Sequence, residues 1–273
     1  MTNSEQYPRN TAVLATDLDG TLIPLLDEPQ NEVDLIRLTE LIRQQSVTLV
    51  YVTGRHLALT LDAMEQHRLP LPDWLIADVG TSMFRRNSES EFILMSDYLS
   101  HLQEMQPVTA LADLREKITM VPGVRLQEPE KQGAFKLSLY VDATRLVALQ
   151  ARIEANLESM SAVWRVISSV DPFTGNGLID LLPAGVSKAY ALDWWIRNHH
   201  TDTQHMVFAG DSGNDLAVLT AGYRAIIVGN ADPSVVSIAK KTHRQNGWND
   251  RLYVATQRAT SGVLEGCLWF DVF

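Results

Sequence analysis

Apolar and polar positions follow two periods along the chain. The runs Ala12-Val13-Leu14-Ala15, Val47-Thr48-Leu49-Val50-Tyr51-Val52, Trp74-Leu75-Ile76-Ala77, Met206-Val207-Phe208-Ala209 and Ala225-Ile226-Ile227-Val228 are short apolar blocks, each followed by polar or glycine turn residues. Such blocks read as strands buried on both faces. Between them lie segments of helical spacing, with Leu35, Leu38, Leu41 and Ile42 on one face of residues 31–44 and Leu57, Leu61 and Met64 on the next. Strand alternating with helix predicts an α/β fold built on a doubly wound parallel sheet.

The rhythm changes between residues 84 and 180. A polar stretch, Arg85 to Glu91, precedes a helical pattern over residues 109–119, and the segment Phe135 to Asp142 alternates apolar with mostly polar side chains. That alternation predicts a strand with one covered and one accessible face. A long helix over residues 144–160 and a strand over 163–170 follow. Residues 84–180 are therefore expected to form a smaller α+β module inserted into a core made of 1–83 and 181–273. The core pattern resumes at Gly177-Leu178-Ile179-Asp180-Leu181-Leu182-Pro183, and Ser187 opens a helix that carries Lys188 in its first turn.

Composition narrows the partners. The 273 residues hold 33 acidic and 23 basic side chains, a net charge of −10, with no Lys/Arg-rich block. This balance argues against nucleic acid and against a membrane surface. The single cysteine, Cys267, has no intramolecular partner, so a disulfide framework is excluded and a reducing cytoplasm is expected. Residues 1–10 lack the apolar core of a signal peptide, and no apolar run reaches membrane-spanning length, which gives the same cytoplasmic expectation. Trp194, Trp195 and Trp269 read as core rather than interface residues, and no pattern specifies an oligomeric state.

Chemistry enters at the strand ends. Asp17-Leu18-Asp19-Gly20-Thr21 follows the first apolar run; in an open parallel sheet that edge is where ligands bind. Residues two apart in an extended segment point the same way, so Asp17 and Asp19 can share one small site. Two neighbouring carboxylates suit a nucleophile beside an acid/base, with a hard cation close by. An ordinary Asp-Gly turn is the competing explanation. Thr53-Gly54-Arg55 ends the second run and reads equally as a helix entry. Lys188 opposes the helix dipole, a breach that fits a nearby anion or a solvated lysine. Gly210-Asp211-Ser212-Gly213-Asn214-Asp215 is either a plain loop or a cation site.

Taken together and in this order, these four segments resemble the motifs of the haloacid dehalogenase superfamily of phosphatases, and the insert is similar to that superfamily's type IIB cap. The resemblance implies a Rossmann-like core in which Asp17 attacks phosphorus, Asp19 is the acid/base, and Lys188, Thr53, Gly54 and Asn214 hold the phosphate. It also implies Mg2+ held by Asp17, Asp211 and the Asp19 carbonyl, with Asp215 orienting Lys188 or a metal-bound water. Arg55 either steers substrate or caps structure, and Lys136 is a candidate sugar contact from the insert.

The stretches Asp78-Val79-Gly80-Thr81, Lys136 to Asp142, Asp180 to Pro183 and Ser261 to Gly266 resemble the sucrose-phosphate phosphatase branch. The function this implies is hydrolysis of a sugar phosphate, foremost sucrose 6-phosphate. The alternatives are phosphatases of glucosylglycerol phosphate, of mannosyl- or glucosyl-phosphoglycerate or of simple hexose phosphates, and a sugar phosphomutase. From another class comes a non-catalytic sugar-phosphate-binding subunit associated with a glycosyltransferase, against which the intact Asp17/Asp19 pair argues.

Overall fold

A computed structural model describes residues 12–105, 111–170, 174–199 and 201–273. The polar N-terminus and the first two positions of the helix expected at 109–119 lie outside the described residues. The chain divides into two compact units, one running up to Leu94 and again from Lys188, the other Met95–Ser187.

In the first unit the chain runs β1 (Val13–Thr16), α1 (Gln30–Gln44), β2 (Thr48–Val52), α2 (Leu57–His67), β3 (Trp74–Ala77), β4 (Ser82–Arg86) and β5 (Phe92–Leu94). The second unit holds α3 (Ser96–Glu104), α4 (Leu111–Thr119), β6 (Arg125–Leu126), β7 (Leu137–Val141), α5 (Leu146–Ser159), β8 (Trp164–Val170) and β9 (Gly177–Pro183). The chain then returns to the first unit through α6 (Lys188–Asn198), β10 (Met206–Gly210), α7 (Leu216–Leu219), β11 (Arg224–Ile227), α8 (Pro233–Gln245), β12 (Leu252–Val254) and α9 (Ala259–Trp269).

The large sheet has the order β12-β11-β10-β1-β2-β3-β4-β5. β1 pairs in parallel with both β2 and β10, so the chain winds outward on one side through β3 and on the other through β12. The reversal of strand order lies at β1/β10, where the carboxyl ends of the strands leave a crevice. Both faces are covered. Leu14, Leu49, Tyr51, Leu75, Val207 and Ile226 pack with α1 and α9 residues such as Leu38 and Val263, while the alternate positions Val13, Val50, Trp74, Ile76 and Phe208 are buried too. Continuous apolar strands follow from burial on two sides.

Two boundaries differ from those expected. β5 and the last three residues of β4, all assigned to the insert, belong to strands that extend the large sheet antiparallel. Their charged residues are accommodated at the sheet margin, where Arg86 donates to Asp73 at 2.7 Å and to the Pro72 carbonyl at 2.8 Å, and Arg85 lies 5.7 Å from the Trp74 ring centre. Conversely, Gly177–Pro183 is no core strand: β9 pairs antiparallel with β7 and β8 in the four-stranded sheet β6-β7-β9-β8.

That smaller sheet buries one face against α4 and α5, through Leu137, Leu139, Ile179 and Leu181 with Leu114, Ile118, Leu149 and Ile153. The other face of β7 is less accessible than alternation implied. The Gln132 side chain donates to the Ser138 carbonyl at 2.9 Å and accepts from its amide at 2.9 Å. Ser138 Oγ donates to Asp180 Oδ1 at 2.6 Å. Ser138 and Lys136 are both buried. Trp195 is buried as expected, whereas Trp269 is half exposed. No described helix is long and apolar enough to cross a membrane.

Candidate active site

The turns after β1 and β10 meet the start of α6 at the carboxyl edge of the large sheet, and the turn after β2 lies on the same edge. Asp17 leaves β1 in extended conformation (φ −69°, ψ 166°), its amide donating to the Ala209 carbonyl of β10 at 2.9 Å. The chain then turns at Asp19 (φ −69°, ψ 122°) and Gly20 (φ 74°, ψ −6°), a type II turn whose second central position favours glycine. A Cβ at Gly20 would also sit 2.5 Å from Asp211 Oδ2. The turn therefore brings Asp211 against the Asp17 segment, and Thr21 Oγ1 donates to Asp211 Oδ1 at 3.1 Å.

At the centre lies Lys188, the first residue of α6 and fully buried. Its Nζ is 2.8 Å from Asp17 Oδ1 and 2.7 Å from Asp215 Oδ1, and it donates to Asn214 Oδ1 at 3.1 Å. The other Asp215 oxygen accepts from the amides of Asp211 (3.3 Å) and Ser212 (3.2 Å) and from Ser212 Oγ (3.0 Å). Asp215 is thus spent on holding its own loop and Lys188.

The charge balance in this site is incomplete. Asp17, Asp211 and Asp215 can each offer an oxygen within 4.8 Å of the others', and one ammonium faces three carboxyls. Burial, followed by repulsion from Asp215, holds the Asp17 carboxyl well above its ordinary pKa even though Lys188 opposes the shift. The same two causes push Asp211 up to about 6. For Lys188 burial acts downward, but Asp17 and Asp215 outweigh it and raise the group above the usual lysine value. An excess of carboxylate oxygens, buried on Asp17 and Asp215 and half-buried on Asp211, all hard donors, fits a hard divalent cation such as Mg2+. Asp19 is not in this cluster: its carboxylate pairs with Arg55 at 2.6 Å.

Thr53 and Gly54 stand beyond β2 at the same sheet edge. Thr53 is buried and its Oγ1 accepts from the Arg55 amide at 3.1 Å. Among the residues expected at the site, Asp17, Lys188, Asn214, Asp211 and Asp215 are in mutual contact or linked through Lys188, and Asp19 and Arg55 form a pair. Lys136 belongs to the second unit. Sequence reasoning assigned no role to Thr21, within the Asp17 segment, or to Asn230. Asn230 Nδ2 donates to the Gly20 carbonyl at 2.7 Å while its Oδ1 accepts from the Ala259 amide at 2.7 Å, tying the turn to α9. The signal was present in Gly229-Asn230, which follows the β11 run as the Asp17 turn follows β1.

A family-wide profile described as sucrose-6F-phosphate phosphohydrolase matches residues 10–271. A protein of Nitrosococcus oceani described only as HAD-like hydrolase is 36% identical, over 94% of this chain and 71% of its own. The mannosylfructose-phosphate phosphatase of Agrobacterium fabrum is 32% identical over 93% of this chain and 94% of its own. Among solved structures, the sucrose-phosphatase of Synechocystis sp. superposes with a TM-score of 0.73 at 23% identity, covering 96% of this chain and 98% of that one; at this identity the likeness is one of fold. Profile and curated relatives mark a sugar phosphatase, a phosphoric monoester hydrolase. With the profile spanning nearly all of the sequence, the chain belongs to the sucrose-6F-phosphate phosphohydrolase family of haloacid dehalogenase-like phosphatases.

Proposed function

We propose that the protein hydrolyses sucrose 6-phosphate to sucrose and inorganic phosphate through a phosphorylated Asp17. The observation that carries this reading is the buried Asp17 carboxylate, aimed from a strand end at Lys188 within a cluster short of positive charge. An Asp17 oxygen attacks phosphorus and the bond to the sugar oxygen breaks, leaving an aspartyl phosphate. Asp19 gives its proton to the departing alkoxide. It then takes a proton from the water that attacks the aspartyl phosphate, and phosphate departs as Asp17 is restored. Lys188, the Thr53 hydroxyl, the Gly54 amide and Asn214 hold phosphate oxygens as their charge is redistributed. Asp215 keeps Lys188 in place.

Asp17 and Asp211, with the Asp19 main-chain carbonyl, would hold Mg2+. When bound, the ion neutralises charge on the phosphate oxygens and on the three carboxylates.

A second reading, hydrolysis of a mannosylfructose phosphate, is favoured by the 32% identity to the Agrobacterium enzyme. Phosphate release with Mg2+ from sucrose 6-phosphate, mannosylfructose phosphate, glucosylglycerol phosphate and simple hexose phosphates separates the two by kcat/KM. Preference for sucrose 6-phosphate is expected; preference for mannosylfructose phosphate moves the enzyme to the second reading, and equal rates on hexose phosphates contradict both.

A further inference from the structure

The Arg55 guanidinium is committed to Asp19 and to α2. It meets Asp19 as a fork, Nε donating to Oδ2 at 2.8 Å and Nη2 to Oδ1 at 2.6 Å. Nη1 donates to the Leu59 carbonyl of α2 at 3.2 Å. The fork edge that would grip a phosphate is therefore already filled by a carboxylate.

The main chain of Arg55 is pinned as well. Its amide donates to Thr53 Oγ1 at 3.1 Å, and its carbonyl accepts from the Asp78 amide at 3.0 Å. The next amide, Val79, donates to the Thr53 carbonyl at 3.1 Å. Making both bonds puts Asp78 and Val79 at φ +53° and +59°, a left-handed conformation that a β-branched residue rarely adopts. Strain kept in this way marks a segment whose position matters. Asp19, by contrast, has a side chain 47% exposed, so packing does not fix its rotamer and the fork does.

We propose that Arg55 is a positioning residue for Asp19: anchored to β2, α2 and the turn after β3, it holds the Asp19 carboxylate in one orientation as the base that takes the proton of the attacking water, without touching phosphate. This rests on the reading of Asp19 as the acid/base.

The test is a double-mutant cycle on the sugar phosphate turned over fastest, with Mg2+, comparing wild type, Arg55→Ala, Arg55→Lys, Asp19→Ala and Asp19→Ala/Arg55→Ala. Arg55→Ala is expected to lower kcat by about 10–100-fold, part of what acid–base catalysis supplies, with KM within about threefold. Arg55→Lys keeps the charge and loses the fork, so kcat falls there too; this variant carries the test if Arg55→Ala does not fold. The double variant should be no slower than Asp19→Ala, because Arg55 acts only through Asp19. A raised KM with kcat intact, a fully active Arg55→Lys, or losses that multiply in the double variant would each overturn the proposal. Full activity of Asp19→Ala defeats instead the acid/base reading beneath it, and the proposal with it.

Discussion

Lys188 sets the electrostatics of the site. It is fully buried between Asp17 and Asp215, so its removal leaves two carboxylates facing each other without a counter-charge. Breaking a buried pair by deleting one partner costs about 3–5 kcal/mol. Lys188→Ala is expected to lower stability in urea by an amount in that range and to abolish turnover; an unchanged midpoint would mean that the cluster is solvated. Asp211 sits at the other end of the cluster, held by Thr21. Mg2+ at about 100 times its Kd should stabilise the fold by about 2.7 kcal/mol, and Asp211→Asn should erase the accompanying rise in Tm. A rise that survives in Asp211→Asn would place the metal elsewhere. At this scale the sequence was informative where a residue broke a local rule: a lysine at a helix N-terminus pointed to an anion. It was silent on the anion's identity, because Asp17 and Asp215 are 198 positions apart in the chain and only the fold joins them.

Elements carry the site through backbone conformation. Gly20 has φ +74°, and a Cβ there would meet Asp211 Oδ2 at 2.5 Å. Gly20→Ala should therefore cost about 1 kcal/mol or more through the left-handed conformation alone, and should weaken the Mg2+-dependent rise in Tm by displacing Asp211. Gly266 tests packing against propensity. Alanine is the better helix former by about 1 kcal/mol, but a Cβ at this point of α9 would lie 2.5–2.7 Å from three Ile226 carbons of β11. Gly266→Ala is expected to destabilise by about 1–3 kcal/mol; a stabilised variant would show that α9 can move away from the sheet. Strands buried on both faces were legible because their apolar runs are continuous. The β4–β5 hairpin was not, since Arg85 and Arg86 make it read as a loop while their stems and charges are taken up by Trp74 and Asp73. β9 was assigned to the wrong sheet because Leu178, Ile179, Leu181 and Leu182 read like a core strand wherever they lie.

At the scale of the molecule, each unit has its own apolar cluster, and the candidate site residues other than Lys136 belong to the first. Cys267 reports on that unit: it lies buried in α9, and burial drives its thiol well above the ordinary cysteine pKa. A thiol reagent should label it only on unfolding, and Mg2+ should slow that labelling because the residues proposed to hold the ion follow β1 and β10 of the same unit. Labelling unaffected by Mg2+ would separate α9 from the site energetically, against the Asn230 link between the Gly20 turn and α9. The division into a core with an insert was visible from the change of period near residue 84, whereas its boundaries at Leu94 and Lys188 were set by strand pairing that no local pattern encodes.

The proposed chemistry comes down to one bond between Asp17 and phosphorus. Enzyme mixed with excess sucrose 6-phosphate and Mg2+, quenched in acid within the first turnovers and digested, should yield the Asp17 peptide carrying the mass of one phosphoryl group. The Asp17→Asn protein, folded by circular dichroism, should give neither adduct nor phosphate. Phosphate release from the wild type with no adduct on that peptide, or turnover by Asp17→Asn, would contradict nucleophilic attack by Asp17.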